Sequence, residues 1–145
     1  MTATVFLQCL IIIQVLFGTF LRHYFVKRGH PAGNFALRSV AEILKGCLRS
    51  NDILGRVGGD EYIIMLECEE ADFGEKFRER VKMACKLFNE KSGKPFLVEI
   101  SLGIAEFSPN ISTDIQQVIS LADQQLYEAK KHRKKSVSRA NNEGA

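Results

Sequence analysis

The sequence predicts an α+β fold, with a mostly antiparallel central sheet flanked by helices. Three observations lead there. Ile53–Val57 and Tyr62–Leu66 are apolar runs separated by a glycine-containing turn, the pattern of a β-hairpin. Asn34–Leu48 and Ala71–Asn89 carry apolar residues at helical spacing on either side of that hairpin. Phe96–Ile104 alternates Leu97, Val98, Ile100, Leu102 and Ile104, as a further strand would. Strands and helices of this kind bury their apolar faces by packing helices onto a sheet.

The bulk properties fit one such unit. The chain has 145 residues, enough for a single hydrophobic core. Its 46% hydrophobic and 26% charged residues mark an ordinary globular protein rather than a disordered one. The net charge of +3 is too small to argue for nucleic acid, yet it does not oppose an anionic small ligand. The four cysteines, Cys9, Cys47, Cys68 and Cys85, form no C-x-x-C pair, and no histidine stands at metal-ligand spacing from them. Buried, reduced thiols in a cytoplasmic protein are the expectation.

The first element is open to two readings. No charge occurs between Thr2 and Leu21, and Val5–Leu21 is mostly apolar. A membrane segment over 2–21 would be followed by Arg22, Lys27 and Arg28, which would leave the rest of the chain in the cytoplasm. A central strand, Phe6–Leu16, running into a helix reads the same way, because a strand buried on both faces is continuously apolar. Gln8 and Gln14 disfavour lipid, and the fold needs a strand here. No basic residue precedes the run, so a cleaved signal peptide is not expected.

The remaining elements follow in order. Gly29-His30-Pro31-Ala32-Gly33 reads as a turn, and Asn34 as the N-cap of a helix of about 15 residues. Leu37, Val40, Ala41, Ile43, Leu44 and Leu48 form its apolar face. Phe73, Phe77, Val81, Ala84, Cys85 and Phe88 form that of the second helix, which Ser92-Gly93-Lys94-Pro95 breaks. Ser108–Thr113 reads as a loop. A last helix is expected from Asp114 to about Lys131, with a polar, frayed tail after Ser136.

The hairpin turn carries chemistry. In Arg56-Val57-Gly58-Gly59-Asp60-Glu61-Tyr62, two glycines let backbone N–H groups approach a phosphate with no Cβ in the way. Two adjacent acids can hold Mg²⁺, which takes carboxylate and phosphate oxygens. The motif resembles the signature turn of GGDEF domains, with Tyr62 in place of the usual phenylalanine. Gly29-His30-x-x-Gly33, Ser101-Leu102-Gly103-Ile104-Ala105 and Leu121-Ala122-Asp123-x-x-Leu126-Tyr127-x-Ala129-Lys130 resemble the family's other segments, in the right order. The resemblance divides the chain into an atypical start, 1–28, a GGDEF-like core, 29–135, and a polar tail, 136–145. It implies a nucleotidyl-cyclase palm-like fold with a ferredoxin-like core. It also implies bacterial signalling through cyclic di-GMP, made from two GTP molecules held by an antiparallel pair of domains. Catalysis would then be positioning plus charge neutralisation by metal ions.

By the same resemblance, Asp60 would bind metal with Glu61 as its acidic catalytic neighbour. Gly58, Gly59, Asn34, Lys130 and Lys134 would bind GTP. Several positions depart from the family. The first strand normally ends in an acid, one residue and a second acid; Gln14 and Leu16 stand there, and an amide is a poor ligand for Mg²⁺. Asn34 replaces an acid that reads guanine, and an amide accepts hydrogen bonds only at its oxygen. Lys134 replaces a usual arginine and loses its bidentate geometry. Phe17–Arg28 is unlike the family, Phe25 standing where an asparagine that recognises guanine is usual. The segment that normally leads into the first strand is absent, so the resemblance is to a truncated and degenerate member.

A second site resembles the family's more closely. Product inhibition uses Arg-x-x-Asp five residues before the glycine pair, and Arg49-Ser50-Asn51-Asp52 stands in that register. Arg80 falls where the family adds another arginine. Arginine offers a flat fork of donors to guanine or phosphate, and Asp52 can accept from guanine N–H groups. Three functions follow: a catalytically impaired module that binds cyclic di-GMP, an active or residual diguanylate cyclase, or a structural dimerising module without ligand. The expected partners are cyclic di-GMP or GTP, a second copy of the chain and a protein effector.

Overall fold

The computed structural model describes residues 7–16, 30–68, 70, 72–94, 96–108 and 114–143. The elements are β1 (Leu7–Leu16), α1 (His30–Cys47), β2 (Ile53–Arg56), β3 (Glu61–Cys68), α2 (Phe73–Ser92), β4 (Glu99–Phe107) and α3 (Ile115–Glu143). The sheet order is β2-β3-β1-β4, with every neighbouring pair antiparallel. This is an α+β, palm-like arrangement.

β1 lies between β3 and β4, paired along both of its edges, as a central strand is. Phe6 and residues 17–29, including the helix expected before Gly29, lie outside the described residues. No helix among the described residues is long and apolar enough to cross a membrane.

The two faces of the sheet carry different helices. Tyr62, Ile64, Leu66 and Cys68 of β3 point into one core with Ala36, Val40, Ile43, Leu44 and Cys47 of α1 and Phe73, Phe77, Val81 and Cys85 of α2. Ile63 and Met65, the alternate residues, pack on the other face against Val118, Ala122 and Leu126 of α3. α3 approaches β4 so closely at Gly103 that a Cβ there would lie 1.9 Å from the Ala122 carbonyl oxygen.

Side chains meet backbone groups at Val98, just before β4, and at Leu102 and Ile104 within it. Asn89 donates to Val98 O (2.9 Å) and accepts from Val98 N (2.8 Å), Arg78 donates to Leu102 O (2.9 Å), and Gln125 accepts from Ile104 N (3.2 Å). The amide of Asn89 stands in for a neighbouring strand at Val98, and the ladder with β1 begins only at Glu99. The strand expected over Phe96–Ile104 is therefore displaced toward the C-terminus.

Two helix ends differ from expectation. α1 begins at His30, so Asn34 lies within the helix rather than capping it. Proline is accommodated in a first helical turn, where no intrahelical N–H bond is required, so Pro31 does not break the chain there. α3 continues to Glu143, past the end expected near Lys131 and through the tail expected to fray. Its sequence contains no glycine or proline, and lysine, arginine, alanine and glutamate favour continuation. Of the loop expected over Ser108–Thr113, residues 109–113 lie outside the described residues. Cys47, Cys68 and Cys85 are buried.

Candidate functional site

The hairpin turn is organised by its own arginine. Val57 N and Gly58 N both reach Glu61 O, at 3.0 and 3.4 Å. Arg56 folds over the turn, its Nε donating to Gly58 O (3.1 Å) and its Nη2 to Gly59 O (2.9 Å). Both glycine carbonyls are gathered toward one guanidinium, and the Gly59 N–H takes no part in these bonds. The Glu61 carboxylate leans back over Gly58, where a Cβ would sit 3.3 Å from its Oε2; beside Gly59 there is open space. Asp60 is half-buried and Glu61 exposed.

The register of the central strand sets what lies beside these acids. Gln14 is opposite Glu61 on one side and Ser101 on the other, and Leu16 is opposite Glu99. The position that could add a carboxylate next to the turn therefore holds an amide. Among the described residues, no three His, Cys, Asp or Glu side chains gather as a metal site. For Mg²⁺ the fit is partial: Asp60 offers one carboxylate, with Glu61 adjacent, and the strand completes nothing.

A groove of about 420 Å³ opens between α1 and the hairpin, lined by Asn34, Leu37, Arg38, Ala41, Leu54, Arg56 and Tyr62. It joins Asn34 to the arginine of the turn. Tyr62 is 3% exposed, and its hydroxyl donates to Leu37 O at 3.1 Å. Burial pushes the Tyr62 hydroxyl's pKa up, opposed by the nearby Arg56 charge, so at neutral pH it remains a protonated donor.

Lys130 and Lys134 lie on α3, across the sheet from α1. Arg133, between them, pairs with Glu99 at the start of β4. Glu99 is opposite Leu16, and Gln14 is opposite Glu61. The basic stretch of α3 is therefore held at the same end of the sheet as the turn.

The second cluster lies at the far end of β2. Arg49 N donates to Asp52 Oδ2 (2.7 Å), and Asp52 N to Arg49 O (3.1 Å), so the four residues form a closed turn. Arg80 Nη1 donates to Cys47 O (3.1 Å), the last residue of α1. A cation and a carbonyl at a helix C-terminus attract one another. The bond brings Arg80, 31 positions downstream of Arg49 in the chain, to the helix end from which the Arg49–Asp52 turn departs. Burial raises the pKa of the Cys47 thiol, opposed by the Arg80 charge.

Sequence reasoning singled out the residues of both clusters but gave no role to Arg56, Tyr62, Arg38 or Arg133. Arg56 and Tyr62 stood inside the quoted motif. Arg133 was hidden in a run of basic residues, where nothing local distinguishes it from its neighbours.

The family profile described as "Diguanylate cyclase, GGDEF domain" matches residues 12–136. The chain belongs to the GGDEF family. It is 34% identical over 118 residues to Diguanylate cyclase A of Treponema denticola, covering 79% of this chain and 31% of that protein. Among solved structures, this GGDEF domain is similar to that of DgcB from Caulobacter crescentus in complex with c-di-GMP (21% identity, TM-score 0.71, 88% of this chain and 74% of that one). It is also similar to diguanylate cyclase SiaD from Pseudomonas aeruginosa in complex with its activator SiaC (25% identity, TM-score 0.70, 87% and 47%). The chain spans less than a third of the length of the curated relatives it matches.

Proposed function

We propose that this GGDEF domain is a receptor for cyclic di-GMP, which it binds through Arg49, Asp52 and Arg80, and that its capacity for synthesis is impaired. The observation carrying this reading is the Arg80–Cys47 bond, which sets a second guanidinium beside the closed Arg49–Asp52 turn. Two arginines and one carboxylate match a ligand with two phosphates and two guanines. Guanidinium donates to phosphate or to guanine O6 and N7, and carboxylate accepts from guanine N1–H and N2–H. A preformed turn lowers the ordering cost of binding. Impairment is argued from Gln14, whose register beside Glu61 supplies no charge to a metal. A missing ligand on an ion that neutralises a triphosphate costs several kcal/mol of transition-state stabilisation, on the order of 3 kcal/mol.

A second reading, a residual diguanylate cyclase, is favoured by the groove joining Asn34 to the turn. There Asp60 would hold Mg²⁺ with Glu61 beside it, Gly58 and Gly59 would border the phosphates, and Lys130 and Lys134 would supply positive charge. A second copy of the chain would complete the reaction centre.

Calorimetric titration of cyclic di-GMP into the purified chain tests the first reading, with Arg49→Ala as control. Saturable binding that the substitution abolishes is the expected result. A folded protein that takes up no cyclic di-GMP would refute it. Mg²⁺-dependent product formation from GTP at roughly one turnover per second or faster would refute the impairment.

A further inference from the structure

The groove beside the turn is spanned by a hydrogen bond that a phenylalanine at position 62 could not make. We propose that the Tyr62 hydroxyl is a positioning group that sets how a guanine nucleotide sits in this groove, by fixing the α1 face that carries Asn34 against the hairpin that carries the Gly-Gly-Asp-Glu turn. The inference rests on reading the groove as the nucleotide site.

The geometry is as follows. Tyr62 is the second residue of β3, two after Asp60, and by register it faces Arg56 across the hairpin. Its ring is buried, and its hydroxyl crosses to Leu37 O, 25 positions away. Leu37 lies three residues after Asn34 on α1, close to one helical turn, so both face the groove with Arg38 and Ala41. Leu54 and Arg56 form the opposite wall. The hydroxyl therefore ties the two walls together at the groove's floor.

Leu37 lies inside α1, so its carbonyl is also placed to accept the helix bond from the residue four positions on. A carbonyl oxygen has two lone pairs, and the tyrosine takes the second. Removing the hydroxyl leaves the helix bond in place and orphans no buried carbonyl. What is lost is the fixed separation of the walls. A base held between Asn34 and the turn is sensitive to that separation, because hydrogen bonds weaken steeply away from about 2.9 Å and from linearity.

The test is a double-mutant cycle on the full chain with Tyr62→Phe and Asn34→Ala, the probe being a non-hydrolysable GTP analogue with Mg²⁺. Phenylalanine keeps the ring and its burial, and it is the residue usual in the family, so the variant is expected to fold. Unchanged affinity for cyclic di-GMP checks the remote Arg49 site. Tyr62→Phe is expected to weaken analogue binding roughly three- to tenfold, the factor of one neutral hydrogen bond. In the Asn34→Ala background it should weaken binding no further, because the hydroxyl acts through the placement of Asn34. Equal affinity of wild type and Tyr62→Phe overturns the proposal, as does strict additivity of the two substitutions. Failure of the wild-type chain to bind the analogue overturns it too, and differs in kind because it removes the nucleotide reading of the groove itself.

Discussion

Gly103→Ala should be among the most damaging single-methyl additions available to this chain. A Cβ at position 103 would lie 1.9 Å from Ala122 O and 2.8 Å from both the backbone N and the Cβ of Leu126. Carbon and oxygen normally approach to about 3.3–3.6 Å, so α3 must withdraw by roughly 1.5 Å. Two of the three obstructing atoms are helix backbone, so no rotamer change relieves the clash. Withdrawal loosens Ala122 and Leu126, which are 0% and 5% exposed, from Ala105 and Val118. It also stretches the bond from Ile104 N to Gln125 Oε1, already 3.2 Å. Overpacking costs about 1–3 kcal/mol, and a lost hydrogen bond about 1 kcal/mol. The reduced entropy of the unfolded chain returns about 0.4–1 kcal/mol. The net destabilisation is about 1–3.6 kcal/mol, a large share of the roughly 5–15 kcal/mol that holds a domain together. Urea unfolding followed by far-ultraviolet circular dichroism measures it. Gly46→Ala is the control: nothing lies within 4 Å of its Cβ in the last turn of α1, and it should stabilise by about 0.5 kcal/mol. A Gly103→Ala protein within 1 kcal/mol of wild type would refute the close approach of α3 to β4.

Two further predictions concern the turn and the buried thiols. Gly59→Ala should leave the unfolding midpoint unchanged while weakening binding of a GTP analogue at least about tenfold, since the added methyl would occupy the open space where a phosphate would approach; a shifted midpoint with unaltered binding would make the glycine structural. Burial pushes the Cys85 thiol up from 9.0 to about 11, with Cys47 contributing. A folded pKa raised above the unfolded one gives stability that is complete below about pH 9 and lost as pH rises through about 11. Urea midpoints should fall across that window in wild type and fall less in Cys85→Ala; equal slopes would refute the assignment.

What the sequence disclosed was mostly local. The hairpin, the amphipathic faces of α1 and α2, and the registers of Gly58–Glu61 and Arg49–Asp52 each depend on residues a few positions apart, where spacing and turn chemistry suffice. The links that hold the two sites in shape connect distant parts of the chain: Arg80 to Cys47, Tyr62 to Leu37 and Arg133 to Glu99. Each joins a long side chain to a partner 25 or more positions away, so no local pattern announces it. The misplaced boundaries have similar causes. Gly29 to Gly33 has the composition of a turn, yet proline fits a first helical turn. The true start of β4 depends on the Asn89 side chain, which occupies Val98 from another element.

The glycines separate what the fold requires from what it leaves free. Gly93, closing α2 at φ +59°, is needed for its backbone conformation. Gly103 is needed for space. Gly58 is confined by the Glu61 carboxylate. Gly59 meets none of these demands, since among the described residues only Gly93 has a positive φ and nothing would touch a Cβ at position 59. A residue that neither conformation nor packing explains, beside two acids and held by the arginine that lines the groove, is best explained by something that approaches from outside. On the proposed reading, the turn keeps room for a phosphate, while Gln14 and Asn34 place amides rather than carboxylates beside it. Room without that carboxylate charge suits binding better than turnover. That asymmetry is the reason to test first the proposed site at Arg49, Asp52 and Arg80, where a closed turn stands beside a second guanidinium.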